Sequence, residues 1–170
     1  MAVKDPKELF VMMLSDLRRG AERSTNIYQE LSGIAQDSDV KEILAARAFV
    51  ADGIQKKLDE CFRIIGAQPT KLEGKLHDVF VEDFRRELAE IQSPEVRRLF
   101  VLAKLIRLIR FRTGEYEALI AAADLTGHYA VGVLLETCLA EKIALLDRAR
   151  RLIRERVEER VAERVASAVR

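Results

Sequence analysis

Three basic residues, Arg47, Arg112 and Lys142, each fall in the middle of the apolar stripe of a predicted helix. Residues spaced by three and four share one face of a helix, so a basic residue within such a stripe points toward the protein core. A buried charge without a partner costs several kcal/mol. The chemistry that these residues could perform is therefore anion binding or the formation of ion pairs across the core.

The sequence leaves open three ways in which these buried charges could be stabilised. The first is ion pairing with acids at the edges of the stripes, which are Asp16, Glu22, Glu115 and Glu141. The second is a bound small anion, such as phosphate, sulfate or a small carboxylate. Hydroxyl donors for it could come from Ser24, Tyr28, Thr113 and Tyr116. The third is that these basic residues line a subunit interface.

Helical periodicity runs through nearly the whole chain, and no strand pattern interrupts it. Gly66 with Pro69 predicts the end of one helix, and Ser93 with Pro94 predicts the start of another. The predicted segments are a first helix over about residues 8–35, a second over 39–66, a short amphipathic stretch over 76–91, a third long helix from 94, and a last helix after a break at 125–128.

The lengths of the connections select the topology. A break of about three residues makes helices antiparallel, and this applies to the first and last pairs of long helices. The middle connection of about 28 residues can cross the whole bundle. The sequence therefore predicts an all-α, ferritin-like, up-down-down-up four-helix bundle, with an extra short helix in the crossover and an extended C-terminal helix.

Composition excludes several classes of protein. The 170 residues suffice for one domain, and 29 basic residues against 28 acidic ones give no overall attraction for nucleic acid or an anionic membrane. No apolar run is long enough to span a bilayer. The first seven residues lack the apolar region of a secretory signal, so we expect a cytoplasmic protein. Cys61 and Cys138 lie on apolar stripes and are expected to be buried, reduced thiols.

The sequence lacks the side chains of the common catalytic and metal sites. A dinuclear metal site in a bundle needs about four carboxylates and two imidazoles on facing helices. The chain has two histidines, His77 in the crossover and His128 at a helical break, and no Glu-x-x-His motif. It also has no glycine-rich phosphate loop and no paired nucleophile and base. We therefore predict no catalytic residues, no metal and no cofactor.

The last predicted helix is longer than the others. Valines recur at every fourth position among Arg and Glu, at Val157, Val161, Val165 and Val169. We interpret 1–170 as a single domain with residues 154–170 as a projecting helical arm. Two interpretations of this arm remain open, because it could be a solvated overhang stabilised by i,i+4 ion pairs, or it could pack on another subunit or a partner protein.

Eight short segments, distributed over about residues 5–153, form a pattern whose order and spacing are informative although no single segment is diagnostic. The segments are Lys7-Glu8-Leu9-Phe10, Leu14-Ser15-Asp16, Val40-Lys41-Glu42, Leu58-Asp59-Glu60-Cys61-Phe62, Ile65-Gly66-Ala67-Gln68-Pro69, Pro94-Glu95-Val96-Arg97, Gly127-His128 and Leu134-Leu135-Glu136-Thr137-Cys138-Leu139-Ala140-Glu141-Lys142. Through these segments the chain resembles the YciE/YciF family of ferritin-like bacterial stress proteins.

This resemblance implies a dinuclear metal site lined by carboxylates and histidines, and the chain departs from the family at those positions. The family's first-helix glutamate corresponds to Ala21, and Glu141 is the one matching acid that remains. The other ligand positions fall on Arg47, Val50, Ile54, the run Ile109-Arg110-Phe111-Arg112, Lys142 and Leu146. Basic residues at such positions would repel a metal ion.

The sequence thus predicts a non-enzymatic, metal-free bundle that acts as an accessory, assembly or stress-related protein. We expect a homo-oligomer that binds neither nucleic acid nor membrane. Two alternatives remain. One is a small-anion binding module that uses Arg47, Arg112, Lys142 and Glu141, and the other is a ferritin-like oxidase or metal-storage protein with a dinuclear centre.

Overall fold

The computed structural model describes residues 3–34, 38–71 and 76–168, and this part of the chain is built from helices. The side chains of Leu76 and His77, like Val169, lie outside the described part. Five helices follow one another: α1 (Pro6–Ile34), α2 (Ser38–Ile65), α3 (Leu76–Ala89), α4 (Pro94–Leu125) and α5 (Tyr129–Ala168). The predicted end of the first helix at Ala35 falls just outside the described residues.

Local sequence sets the helix ends where it was expected to. The Ser93 hydroxyl accepts a hydrogen bond from the backbone N–H of Val96, and Pro94 occupies the first turn of α4. Gly66 and Gly127 adopt positive φ angles of 64° and 75° just after α2 and α4. Glycine reaches this left-handed conformation without a steric penalty, so these positions can end a helix tightly.

Contacts between helices establish the up-down-down-up topology. Glu42 and Lys57, near opposite ends of α2, pair with Arg148 and Glu141 of α5, respectively, so α2 and α5 are antiparallel. The ring of Phe10 in α1 stacks on that of His128, just after α4, with centroids 5.3 Å apart. The start of α1 therefore lies beside the end of α4. The predicted fold class is confirmed.

The short helix α3 lies in the crossover and packs on both α1 and α4. Its Phe84 stacks on Phe100 of α4 with ring centroids 5.5 Å apart, and its Asp78 pairs with Arg23 of α1. This packing buries Leu108 of α4, a residue that the sequence analysis did not identify as buried. No helix in the described residues is long and apolar enough to cross a membrane.

The core consists of two apolar clusters at opposite ends of the bundle. Along α4 one cluster ends at Ile109 and the other begins at Tyr116; along α5 they are separated between Cys138 and Leu145. Arg112 and Lys142 fall into these gaps, and Ser24 occupies the corresponding gap in α1. A polar layer therefore separates the two clusters along α1, α4 and α5, whereas Val50 of α2 packs against both.

The C-terminal part of α5 is only partly a projecting arm. Arg160 pairs with Glu95, so α5 runs beside the first turn of α4 well beyond residue 154. Val157, Val161 and Val165 nevertheless remain more than half exposed. A groove of about 730 Å³ opens here between the two helices.

Candidate functional site: a cationic layer in the bundle core

The sequence-predicted basic residues Arg47, Arg112 and Lys142 are all buried, and together they form what we call the cationic layer. Arg47, from α2, is 1% exposed. Its guanidinium carbon lies 4.9 Å from the centre of the Tyr28 ring. A cation over an aromatic face is stabilised by the quadrupole of the ring, but the contact leaves N–H donors unused. Nε and Nη1 of Arg47 make no hydrogen bond with the described residues.

Arg112, from α4, is 4% exposed, and its guanidinium forms an ion pair with Glu115 one turn later. Burial raises the pKa of the Glu115 carboxyl, even though the neighbouring Arg112 charge acts to lower it. The desolvation of this carboxylate thus outweighs its attraction to the guanidinium, as is common for buried ion pairs. The pair places an acid beside a buried charge, without being a large net source of stability.

Lys142, from α5, is 4% exposed, and its Nζ lies 5.2 Å from the centre of the Tyr116 ring. Burial lowers the pKa of the Lys142 ammonium well below its ordinary value, and the charges of Arg47 and Arg112 lower it further. Because the arginines cannot release their protons, the repulsion among the three groups is relieved by a lower pKa of the Lys142 ammonium. This mutual influence also places the three residues within one layer.

The acids expected at the stripe edges behave differently from one another. Glu115 does meet Arg112, whereas Glu141 pairs with Lys57 on the neighbouring helix. Oε2 of Glu22 lies 3.7 Å from Nη1 of Arg18. The exposed Asp16 has an electrostatic effect on Glu115, where its charge acts to raise the carboxyl pKa. Among these four acids, Glu115 is therefore the one that forms an ion pair with the cationic layer.

The expected hydroxyl donors also separate into two groups. Ser24 Oγ donates to the backbone oxygen of Gly20 at 2.6 Å, and Thr113 Oγ1 donates to that of Arg110 at 2.8 Å. Their protons are thereby used within their own helices. Tyr28 and Tyr116 are buried, and their hydroxyl groups have no hydrogen-bond partner in the described part of the protein.

The residues of this layer do not fit a dinuclear metal centre. Its basic side chains are hydrogen-bond donors without a lone pair when charged, and their charge opposes that of a metal cation. Across the described ranges, no three residues of the His, Cys, Asp and Glu types come together in a group that could hold a metal ion. Several positions where the family resemblance implies metal ligands are instead buried apolar residues, namely Ala21, Ile54, Ile109 and Leu146.

The two cysteines are buried and free, as the sequence predicted. Burial raises the pKa of the Cys61 thiol to about 12 and that of Cys138 to about 11. A thiol reacts as its thiolate, so neither sulfur is activated as a nucleophile at neutral pH. Both side chains act as small apolar residues of the core.

A family model matches residues 5–162, nearly the whole chain, and describes a domain of unknown function, DUF892. The chain belongs to the DUF892 family. The family resemblance drawn from sequence segments is confirmed, since YciF is among the structures similar to this DUF892 protein. No curated protein matches its sequence.

Three solved structures share the fold of this DUF892 protein. YciF, a stress protein of E. coli, has a TM-score of 0.86 at 18% identity, covering 92% of this chain and 99% of YciF. YcfI from Rhodopseudomonas palustris, a candidate structural protein, has a TM-score of 0.83 at 20% identity, covering 87% of this chain and 94% of YcfI. A protein from Xanthomonas campestris has a TM-score of 0.67 at 16% identity, with coverages of 92% and 99%.

Gly20 is a residue of this DUF892 protein that the sequence analysis did not identify. It lies in the middle of α1 and is buried, and the guanidinium of Arg112 rests against its backbone. A Cβ atom at this position would overlap that guanidinium. The signal available in the sequence was a glycine inside a long helix, since glycine there costs about 1 kcal/mol relative to alanine and needs a packing reason.

We expect Gly20→Ala to destabilise the protein by about 1–3 kcal/mol, because the displaced guanidinium has to move within a packed core. In an Arg112→Met background the same substitution should instead be neutral or stabilising, since alanine favours the helix. Urea unfolding of the four variants measures both effects. A stabilising Gly20→Ala in the wild-type background would show that Arg112 does not occupy this position.

Proposed function

We propose that this protein is a non-enzymatic, metal-free ferritin-like bundle of the cytoplasm that acts as an accessory or assembly protein in a stress-related role. The observation that carries the metal-free part is the cationic layer, in which basic side chains occupy the middle of the core. The stress-related part follows from the fold shared with the stress protein YciF. A shared fold leaves function open, so the proposal depends on the site more than on the likeness.

A layer of this kind can replace a metal as the connection between helices. Arg47 joins α2 to Tyr28 of α1, and Lys142 joins α5 to Tyr116 of α4. Each contact thereby spans two helices, as bridging metal ligands do in a dinuclear bundle. Such a protein would hold its shape at any metal concentration.

Metal analysis tests this proposal directly. After expression in medium supplemented with iron and manganese, purified protein should contain far less than one metal ion per chain, because the layer repels cations. The melting temperature should be the same before and after treatment with EDTA. Stoichiometric metal whose removal lowers the melting temperature would overturn the proposal and favour a ferritin-like oxidase or metal-storage protein.

The assembly role rests on the exposed ridge of α5, formed by Val157, Val161 and Val165. We propose that its occupant is the same ridge of a second copy. Each of these valines follows a Glu-Arg pair, at residues 155–156, 159–160 and 163–164, so an antiparallel copy can bring basic residues near acidic ones. The exposed Leu99 of α4 extends this apolar surface at the groove beside α5.

Truncation after Arg154 should therefore lower the oligomer mass measured by light scattering. The double substitution Val161→Ser/Val165→Ser should do the same while keeping the helix. Ala162→Ser/Ala166→Ser provides a matched control, because it changes two exposed residues with the same spacing on an adjacent face of α5. If mass is unchanged by truncation and α5 is readily cut by protease beyond residue 160, the ridge is a solvated overhang.

A further inference from the structure

The cationic layer contains buried hydrogen-bond donors that have no partner among the described residues. Four such groups come from three side chains that are each at least 99% buried: Nε and Nη1 of Arg47, and the hydroxyl groups of Tyr28 and Tyr116. Buried polar groups in native proteins almost always have a partner, and each exception calls for an explanation. Because all four groups can donate, the missing partner is an acceptor.

Charge points to the same class of ligand. Glu115 pairs with Arg112, whereas Arg47 and Lys142 face tyrosine rings. A ring face attracts a cation but does not neutralise it. The charge of Arg47 and the basic amine of Lys142 thus remain without an acidic partner. A neutral molecule or a metal cation would leave the Arg47 charge in place or add to it.

We propose that the cationic layer binds a doubly charged tetrahedral oxyanion of the phosphate or sulfate class, held by Arg47 and Lys142 with hydroxyl donors from Tyr28 and Tyr116. A guanidinium presents donors in a fork that suits such an oxyanion, and an ammonium supplies a compact positive charge. The oxyanion offers acceptor oxygens to all of the unused donors. Its two negative charges balance those of the two basic groups.

Binding should be coupled to proton uptake. Without a ligand, burial and the two arginines lower the pKa of Lys142. An adjacent anion raises it again, because the ammonium gains an opposite charge. Sulfate binding should therefore draw a proton onto Lys142 at pH values above its lowered pKa, and affinity should increase as the pH falls toward that pKa.

Sulfate is the appropriate probe because it does not itself titrate near neutral pH. Isothermal calorimetry in two buffers with different ionisation enthalpies should give about one sulfate per chain and a positive proton uptake. The melting temperature should rise in a saturable way with sulfate. Arg47→Met should weaken binding at least tenfold, and Lys142→Met should abolish the proton uptake.

Two controls keep the result interpretable. Arg148→Met removes the same charge from the surface and should leave sulfate affinity unchanged. Tyr28→Phe keeps the ring and removes only the hydroxyl group, so it should weaken binding even if Arg47→Met fails to fold. Sulfate also stabilises proteins generally by its exclusion from their surface, and that increment does not saturate.

The proposal is overturned if the calorimeter detects no saturable binding of either sulfate or phosphate. It is equally overturned if Arg47→Met and Tyr28→Phe bind sulfate as tightly as the wild type, since the anion would then occupy another place. Parallel titrations with phosphate test whether the layer prefers one oxyanion. An affinity for either that depends on Arg47 supports the site.

Discussion

Replacing Glu115 with methionine should lower the free energy of unfolding by about 3–5 kcal/mol, because it removes the carboxylate that pairs with the buried Arg112. Arg112 is 4% exposed and its guanidinium cannot lose its proton, so the positive charge would remain in the core. The reverse substitution, Arg112→Met, should be tolerated. The Glu115 side chain is one-quarter exposed, and its carboxyl can take up a proton or turn toward water.

Changing both residues to methionine should be neutral or stabilising by about 1–4 kcal/mol, since neither charge then needs to be desolvated. Glu42→Met is a matched control, because its pair with Arg148 lies on the surface and should contribute less than about 1 kcal/mol. Chemical unfolding of the complete cycle measures these terms. A Glu115→Met variant no less stable than Glu42→Met would mean that Arg112 does not depend on this carboxylate.

Replacing Lys142 with methionine should raise the free energy of unfolding at neutral pH by about 1–4 kcal/mol in buffer free of oxyanions. The folded protein holds this amine in a core that disfavours its charge, and burial lowers its pKa well below the ordinary 10.5. Methionine has a similar length and no charge to desolvate. The contact of Nζ with the Tyr116 ring is lost, but its contribution is smaller than the cost that is removed.

The pH dependence gives this prediction a second readout. Between the lowered pKa of folded Lys142 and 10.5, the unfolded chain binds a proton at this site and the folded protein does not. Stability is therefore present above pH 10.5 and is lost as pH falls toward the folded pKa, by about 1.4 kcal/mol per unit. Lys142→Met should remove this part of the slope of unfolding free energy against pH. Lys41→Met changes an exposed lysine and should retain it.

Stability measurements from pH 7 to 10.5 on the three proteins provide the comparison. Equal slopes for wild type and Lys142→Met would contradict a neutral, buried amine. Oxyanions have to be absent, because a ligand that restores the proton to Lys142 would reduce the difference. The same titration repeated with sulfate connects this prediction to the proposed ligand of the layer.

A polar layer between two apolar clusters has a cost that an all-apolar core would avoid. Our hypothesis is that the polar layer fixes the alignment of α4 along α1. Arg112 fits against α1 where Gly20 leaves space, and a one-turn shift of α4 would bring that guanidinium against side chains. Buried polar groups fix helix alignment in some coiled coils for the same reason. The sign change expected for Gly20→Ala in the Arg112→Met background tests this fit.

The sequence by itself determined the helices, their order and the burial of Arg47, Arg112 and Lys142. These are local properties, because a residue's place on an apolar stripe depends on the 3.6-residue period alone. Connection lengths then limited the ways in which the helices could pack. The same reasoning did not name Leu108, which lies four residues before Arg112 and is buried in the cluster that includes Phe84 of the crossover helix.

Only the tertiary structure decided which groups meet in the core. Glu141 and Glu115 both lie at stripe edges, yet one pairs with Lys57 of a neighbouring helix and the other with Arg112. The Arg112 guanidinium lies against Gly20, and the Arg47 guanidinium lies over the Tyr28 ring. Both contacts depend on how closely the helices approach and on side-chain rotamers. Distances between helices are not encoded in the period of any one of them, so the unused donors of the cationic layer became visible only in the folded bundle.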